Sequence, residues 1–223
     1  SILDMGGQST KPGAKRIGAN EEMDRVLPAV ETIHRNFPDA WISIDTFYAS
    51  VAEAAIEAGA GMVNDISAGS IDDNLLPCVA RMKVPYVCMH MQGDPEHMQT
   101  APHYNHVTQE VLDFLIRRTA FCRSSGIQDI IIDPGFGFGK TIAHNFTLLR
   151  ELAAFRMLGL PILAGLSRKS TIYRTLGCSA EEALNGTTVL NTLALLNGAT
   201  ILRVHDVKEA AEAITLVEAY KTT

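Results

Sequence analysis

Seven short apolar runs rich in β-branched residues punctuate the chain, spaced so that a helix fits between most consecutive pairs. They read ILDMGG, WISIDT, MVNDIS, YVCMHM, IIIDPG, ILAGLSRKS and ILRVHD. Runs without polar alternation predict strands buried on both faces, as in parallel sheets covered by helices. Repetition of the strand–helix unit predicts an α/β fold of the (β/α)8 TIM-barrel kind, whose C-terminal strand ends share one rim and carry the site. Each run gives way to a residue that can bind or catalyse: Asp4, Asp45, Asn64, His90, Asp133, Lys169, Arg203 and His205.

With 223 residues, 47% hydrophobic and 20% charged, the chain can bury one sizeable core. A single barrel domain over 1–223 is the economical reading. A net charge of −6 without a basic block argues against nucleic-acid or anionic-membrane binding. Cys78, Cys88, Cys122 and Cys178 form no CxxC pair, which predicts free thiols in a reducing compartment. Neither a signal-peptide pattern nor an apolar run long enough to span a bilayer is present, so a cytoplasmic location is expected.

Between the runs, the patterning predicts helices over 20–37 with Asn20 as N-cap, over 48–58, over 72–82, and up to about 125. It predicts further helices over 143–158, from a cap at Ser179 with Glu182 three places on, and over 207–220. QSTKPGAKRIGA, residues 91–104 and SRKSTIYRTLG read as rim loops. Seven strands and seven helices result. A closed barrel needs eight strands, and the first run lies almost at the start of the sequence, so a first βα unit is expected to be missing, through cleavage, disorder or an unrecorded N-terminus.

The segment GFGFGKT over 135–141 looks like a phosphate loop, but Pro134 stands where a Walker A motif needs its first glycine. Asp133, just before it, ends an apolar strand, where a carboxylate is costly without donors to meet. Asp45 and Asn64 end neighbouring strands in the same way. Two carboxylates and an amide suit a flat heterocycle that donates in-plane N–H groups, although each alone could be a helix cap. Arg168, Lys169, Arg203 and His205 add cations at the late strands, where barrels usually dock phosphate. His90 could be a hydrogen-bonded core residue or a catalyst, and His97, His103 and His106 show no metal spacing. The combination calls for a neutral polar ring joined to a phosphate or pyrophosphate.

DMGGQSTKPGA, SIDTF, VNDIS, CMHM, DPGFGFGKTIAHN, GLSRKS and RVHDV, in this order, resemble the dihydropteroate synthases over nearly the whole chain. The resemblance implies a pterin-binding TIM barrel that condenses 6-hydroxymethyl-7,8-dihydropterin pyrophosphate with 4-aminobenzoate, giving 7,8-dihydropteroate and pyrophosphate in folate biosynthesis. It implies Mg2+ beside the pyrophosphate, a homodimer, and competition by sulfonamides. Asp45, Asn64 and Asp133 would hold the pterin, with Ile66 and Met89 as walls and Lys169 reaching both substrates. Arg203 would stack on the pterin and, with His205 and Thr10, hold the pyrophosphate. Pro12, Phe138 and Ser167, with Lys169, would frame the aminobenzoate.

Asp45, Asp133, Lys169, Arg203 and His205 are the expected catalytic set. No metal ligand is expected in this chain, because the family's asparagine for that role belongs to the first strand and its loop, which have no counterpart here. Gln8 and Lys11 stand where Glu and Arg are more usual. Three other readings compete: a methyltetrahydrofolate-binding methyltransferase domain, a non-catalytic pterin-binding homologue, and a Schiff-base aldolase using Lys169.

Overall fold

The computed structural model describes residues 1–9, 15–93, 98 and 101–222. Its strands are β1 (Ile2–Met5), β2 (Trp41–Asp45), β3 (Met62–Asp65), β4 (Tyr86–Met89), β5 (Ile130–Asp133), β6 (Leu163–Ala164) and β7 (Ile201–Leu202). The first five pair in chain order and in parallel, as do β6 and β7, and a parallel bridge between Ile132 and Ile162 links the two sets. Sequential parallel pairing with a helical crossover after each strand makes the wall of a (β/α) barrel.

The two-residue period of a strand decides what this wall presents on each side. Ile42, Ile44, Val63, Cys88, Ile132 and Ala164 are essentially inaccessible and join the main core. In that core lie residues of α1 (Ala19–Asn36), α2 (Ala49–Glu57), α3 (Leu75–Met82), α4 (Val107–Ser124) and α5 (Ile142–Arg150). Residues of the other parity, Met62, Val87, Ile131 and Leu163 with Ile201, form a separate cluster, one from each of five successive strands. That cluster is a barrel-interior layer. Two residues further along these five strands lie Asn64, Met89, Asp133, Gly165 and Arg203, and the same parity on β1 and β2 gives Asp4 and Asp45. The apolar plug therefore gives way to a largely polar rim.

Several local expectations shift. Asn20 is not the N-cap of α1: the Glu22 amide already bonds the Gly18 carbonyl at 3.0 Å, so the helix starts at Ala19. The helix expected over 72–82 begins at Leu75, because the Asp72 carboxylate is engaged by the amides of Asn74 (3.0 Å) and Ala49 (2.8 Å). The stretch over 143–158 divides into α5 and a 3₁₀ helix, Leu152–Leu158. SRKSTIYRTLG is not wholly loop. Its second half is α6 (Ser170–Leu176), which buries Thr171 and Ile172 and stops at Gly177, with φ +67°. Ser179 and Glu182 do bond reciprocally (3.0 and 3.4 Å), but at a turn preceding α7 (Leu184–Leu196). With α8 (Val207–Thr222) this makes eight α-helices among the described residues. All four cysteines are free thiols. Among the described residues no helix is long and apolar enough to cross a membrane.

Candidate active site

The polar rim is wired through Arg203. From beyond β7 its Nε donates to Asp4 Oδ2 at 2.5 Å and its Nη2 to Asp45 Oδ2 at 3.0 Å. Asp4 Oδ2 also accepts from Asn64 Nδ2 at 3.1 Å, which turns the amide oxygen of Asn64 away from Asp4. Burial, reinforced by the neighbouring Asp4 carboxylate, pushes Asp45 up to about 7 despite Arg203. Burial also works against the Arg203 charge, yet Asp4 and Asp45 outweigh it and hold the guanidinium above its ordinary value.

Asp133 ends β5 and adds its charge to those acting on Arg203. Its Oδ1 accepts from the Gly135 amide at 2.7 Å, and burial raises its pKa while Lys169 opposes. Lys169 is the N-cap residue of α6. Its ammonium donates to the Phe136 carbonyl and sits 4.8 Å from the centre of the Phe138 ring. Burial lowers it to about 8, against the attraction of Asp133. Between Asp133 and Arg203 the rim position on β6 is Gly165. A Cβ there would lie 3.6 Å from Lys169 Nζ and 3.9 Å from Arg203 Cβ, so the absence of a side chain leaves a narrow slot between the Lys169 ammonium and the base of the Arg203 side chain. Phe47, Ile66 and Met89 form a buried apolar shelf beside it, with Met91 and Phe138 packed at its edge.

His205 Nδ1 lies 2.9 Å from Ser167 Oγ, which also accepts from the His205 amide at 3.2 Å. Ser167 therefore acts here first as the holder of His205. Arg168 is neither a loose surface charge nor a site cation. Its guanidinium makes a two-point contact with Asp206 (2.9 and 2.8 Å) and reaches the Ala180 carbonyl at 2.9 Å, fixing the turn that carries Lys169. His90 is a core residue: burial and the adjacent Lys140 ammonium lower it to about 2, and its ring meets Phe114 edge-on.

The structure thus brings together Asp45, Asn64, Ile66, Met89, Phe138, Asp133, Lys169, Arg203, Ser167 and His205. Thr10 and Pro12, and the Lys11 departure, lie outside the described residues. Sequence reasoning named Asp4 among the polar strand ends without giving it a specific role; by register it lies beside Ser43, two residues before Asp45 on the neighbouring strand. It also passed over Asp65, a fully buried carboxylate that takes bonds from the Ser67 and Gly69 amides, Ser67 Oγ and Tyr86 Oη and so shapes the turn after β3. Chemically, the rim offers carboxylates held beside cations, Asp4 and Asp45 by Arg203 and Asp133 by Lys169, and an aromatic flank beside Lys169.

Comparison with known proteins finds a match over residues 1–205 to the family described as "Pterin binding enzyme". The dihydropteroate synthase of Escherichia coli K12 is 43% identical over 221 residues, covering 98% of this chain and 78% of the relative. Among solved structures, the Yersinia pestis dihydropteroate synthase in a sulfonamide drug complex superposes with a TM-score of 0.96 at 39% identity, covering 100% of this chain and 81% of the other. The Xanthomonas albilineans dihydropteroate synthase with 4-aminobenzoic acid gives 0.93 at 41% identity, covering 100% and 80%.

Proposed function

The chain belongs to the pterin-binding enzyme family, and from that premise we propose that it acts as a dihydropteroate synthase. It is a transferase that joins 6-hydroxymethyl-7,8-dihydropterin pyrophosphate to 4-aminobenzoate in folate biosynthesis and releases pyrophosphate. The observation that carries this reading is the rim itself: Arg203 bonded to Asp4 and Asp45, Asn64 bonded to Asp4, Asp133 paired electrostatically with Lys169, and the side-chain-free Gly165 between Asp133 and Arg203.

In this reading the dihydropterin lies in the slot with Asp45, Asn64 and Asp133 accepting its in-plane N–H groups and Ile66 and Met89 against its faces. Arg203 covers the ring and, with His205 and Thr10, holds the pyrophosphate. Pro12, Phe138, Ser167 and Lys169 frame the aminobenzoate. The C–O bond between the pterin methylene and the pyrophosphate breaks, and that oxygen keeps the electron pair. The arylamine nitrogen forms the new C–N bond and releases a proton to solvent. Positive charge growing on the methylene and ring is stabilised by the carboxylates of Asp45 and Asp133, and negative charge on the leaving group by Arg203 and His205. No side chain becomes covalently bound, so positioning and charge compensation do the work.

Mg2+ accompanies the pyrophosphate in this reading. Among the described residues no three His, Cys, Asp or Glu side chains converge as a ligand set. The reading places the enzyme in the cytoplasm as a homodimer. A groove of about 800 Å³ between α7 and α8, lined by Leu196, Leu216, Val217 and Tyr220 among others, is its proposed contact face, and sedimentation of Leu216→Asp as a monomer would bear this out.

Incubation with the pterin pyrophosphate, Mg2+ and 4-aminobenzoate tests the function. Pyrophosphate release is expected only when the arylamine is present, and a sulfonamide should compete with it. Release that ignores the arylamine overturns the reading.

A further inference from the structure

We propose that Lys140 is a positioning residue for the aminobenzoate half of the site, acting through the backbone of the turn between β5 and α5. The inference rests on the synthase reading above. The turn over 134–140 presents Phe138 to Lys169, and Lys140 lies behind it, 3% exposed. Its ammonium meets three acceptors: the Gly135 carbonyl at 2.9 Å, the Phe138 carbonyl at 3.0 Å and His90 Nδ1 at 2.9 Å. An ammonium has three N–H groups, so the tripod is saturated. His90 must accept at Nδ1 and carry its proton on Nε2.

Two of the acceptors belong to opposite ends of one turn, and the third sits just past the neighbouring strand β4. The lysine therefore sets both the curvature of the turn and its distance from β4. The turn also packs closely on the backbone that follows β4. A Cβ on Gly135 would fall 1.8 Å from the His90 carbonyl oxygen, and one on Gly139 2.5 Å from that of Gln92. Without Lys140 the Phe138 carbonyl and the imidazole nitrogen would lose this donor, the Gly135 carbonyl would keep only the Phe138 amide at 3.1 Å, and the turn would relax towards other donors.

That relaxation moves Phe138 more than the pterin contacts. Asp45 and Asn64 stand on other strands; the Asp133 backbone is held within β5 by its pairing with Met89, and its carboxylate engages the turn only at the Gly135 amide (2.7 Å), ahead of Phe138. Gly137 and Gly139 stay anchored through Asn145 Oδ1 (2.8 Å) and Tyr104 Oη (3.0 Å), so the turn shifts without unravelling. The Walker-like lysine of GFGFGKT thus faces protein carbonyls rather than a phosphate.

Steady-state kinetics of Lys140→Met, His90→Leu and His90→Asn test the assignment. Lys140→Met should raise the aminobenzoate KM about ten-fold while the pterin pyrophosphate KM stays within about two-fold. His90→Leu should move the aminobenzoate KM in the same direction. His90→Asn, whose amide oxygen can take the place of Nδ1, should stay near wild type. A purely structural role would lower the melting temperature without splitting the two KM values or separating Leu from Asn. Equal changes in both KM values, no change, or identical behaviour of the two His90 variants overturns the proposal, and the His90 pair decides if Lys140→Met does not fold. A wild-type enzyme whose pyrophosphate release ignores the arylamine defeats the synthase reading instead.

Discussion

Arg203 and Asp4 stand 199 positions apart and share a 2.5 Å hydrogen bond, so one side chain joins the last strand of the wall to the first. Its second arm reaches Asp45 at 3.0 Å. Arg203→Ala would leave two neighbouring carboxylates without their counter-ion and, in the proposed reaction, would remove a cation from the pyrophosphate. We expect kcat/KM to fall roughly 10²–10³-fold, with Arg203→Lys recovering only part because an ammonium cannot bridge both carboxylates in the same fork. A fall smaller than about five-fold in Arg203→Ala would remove it from the reaction.

The pH profile follows from the same groups. Asp45, pushed up to about 7, must be ionised to stabilise positive charge, and Lys169, lowered to about 8, must keep its proton beside Phe138. A bell-shaped kcat/KM is expected, rising through about 7 and falling through about 8. Lys140, drawn to about 7 by burial against Asp133, titrates in the same window from behind the turn. Lys169→Arg separates the two lysines: the part of the alkaline limb due to Lys169 should disappear while that due to Lys140 remains.

Asp45 also sets function against stability. Its folded pKa lies above the ordinary carboxylate value, so the stability it contributes is full in acid and is lost as pH rises through about 7. Asp45→Asn cannot ionise and escapes that loss. Differential scanning calorimetry should show the variant melting roughly 2–6 °C above wild type at pH 8, with a smaller difference at pH 5. The same variant should be nearly inactive. A melting temperature below wild type at pH 8 would mean that the bond to Arg203 outweighs the burial of the charge.

How far the sequence could be read depends on what each residue is bonded to. Asp45, Asn64, Asp133 and Arg203 were legible because a strand has a period of two, and a polar residue ending an apolar run must face either a helix or the barrel mouth. Lys140 was not legible as a clamp, since two of its three acceptors are backbone carbonyls whose positions depend on φ at three glycines (Gly135, Gly137 and Gly139, +71°, +84° and +62°). Arg168 counted as one more late-strand cation because its partner, Asp206, is 38 positions away. α6 was hidden by its length: seven residues carry too little periodicity to stand out from a polar loop.

Gly135 provides a test of the packing behind the site. It adopts φ +71°, and a Cβ would lie 1.8 Å from the His90 carbonyl oxygen, which is backbone and cannot step aside cheaply. Gly135→Ala should cost about 3 kcal/mol or more and lower the melting temperature by about 10 °C. Gly159 has a similar φ of +64° but nothing within 4 Å of its would-be Cβ, so Gly159→Ala should cost only about 1 kcal/mol. Equal penalties at the two sites would show that backbone conformation, not the approach to His90, makes Gly135 necessary.

Arg168 holds φ +52°, an uncommon conformation for a side-chain-bearing residue, and its two-point contact with Asp206 keeps the following Lys169 aimed at Phe136 and Phe138. Neither Arg168 nor Asp206 is assigned a contact with substrate. If their effect runs only through each other, Arg168→Ala and Asp206→Ala should each lower kcat/KM by roughly ten-fold, and the double variant by no more than the larger single loss. A double variant that loses the product of the two effects would show that Arg168 and Asp206 act separately, with Arg168 then serving the site through its bonds to the 180–181 carbonyls instead.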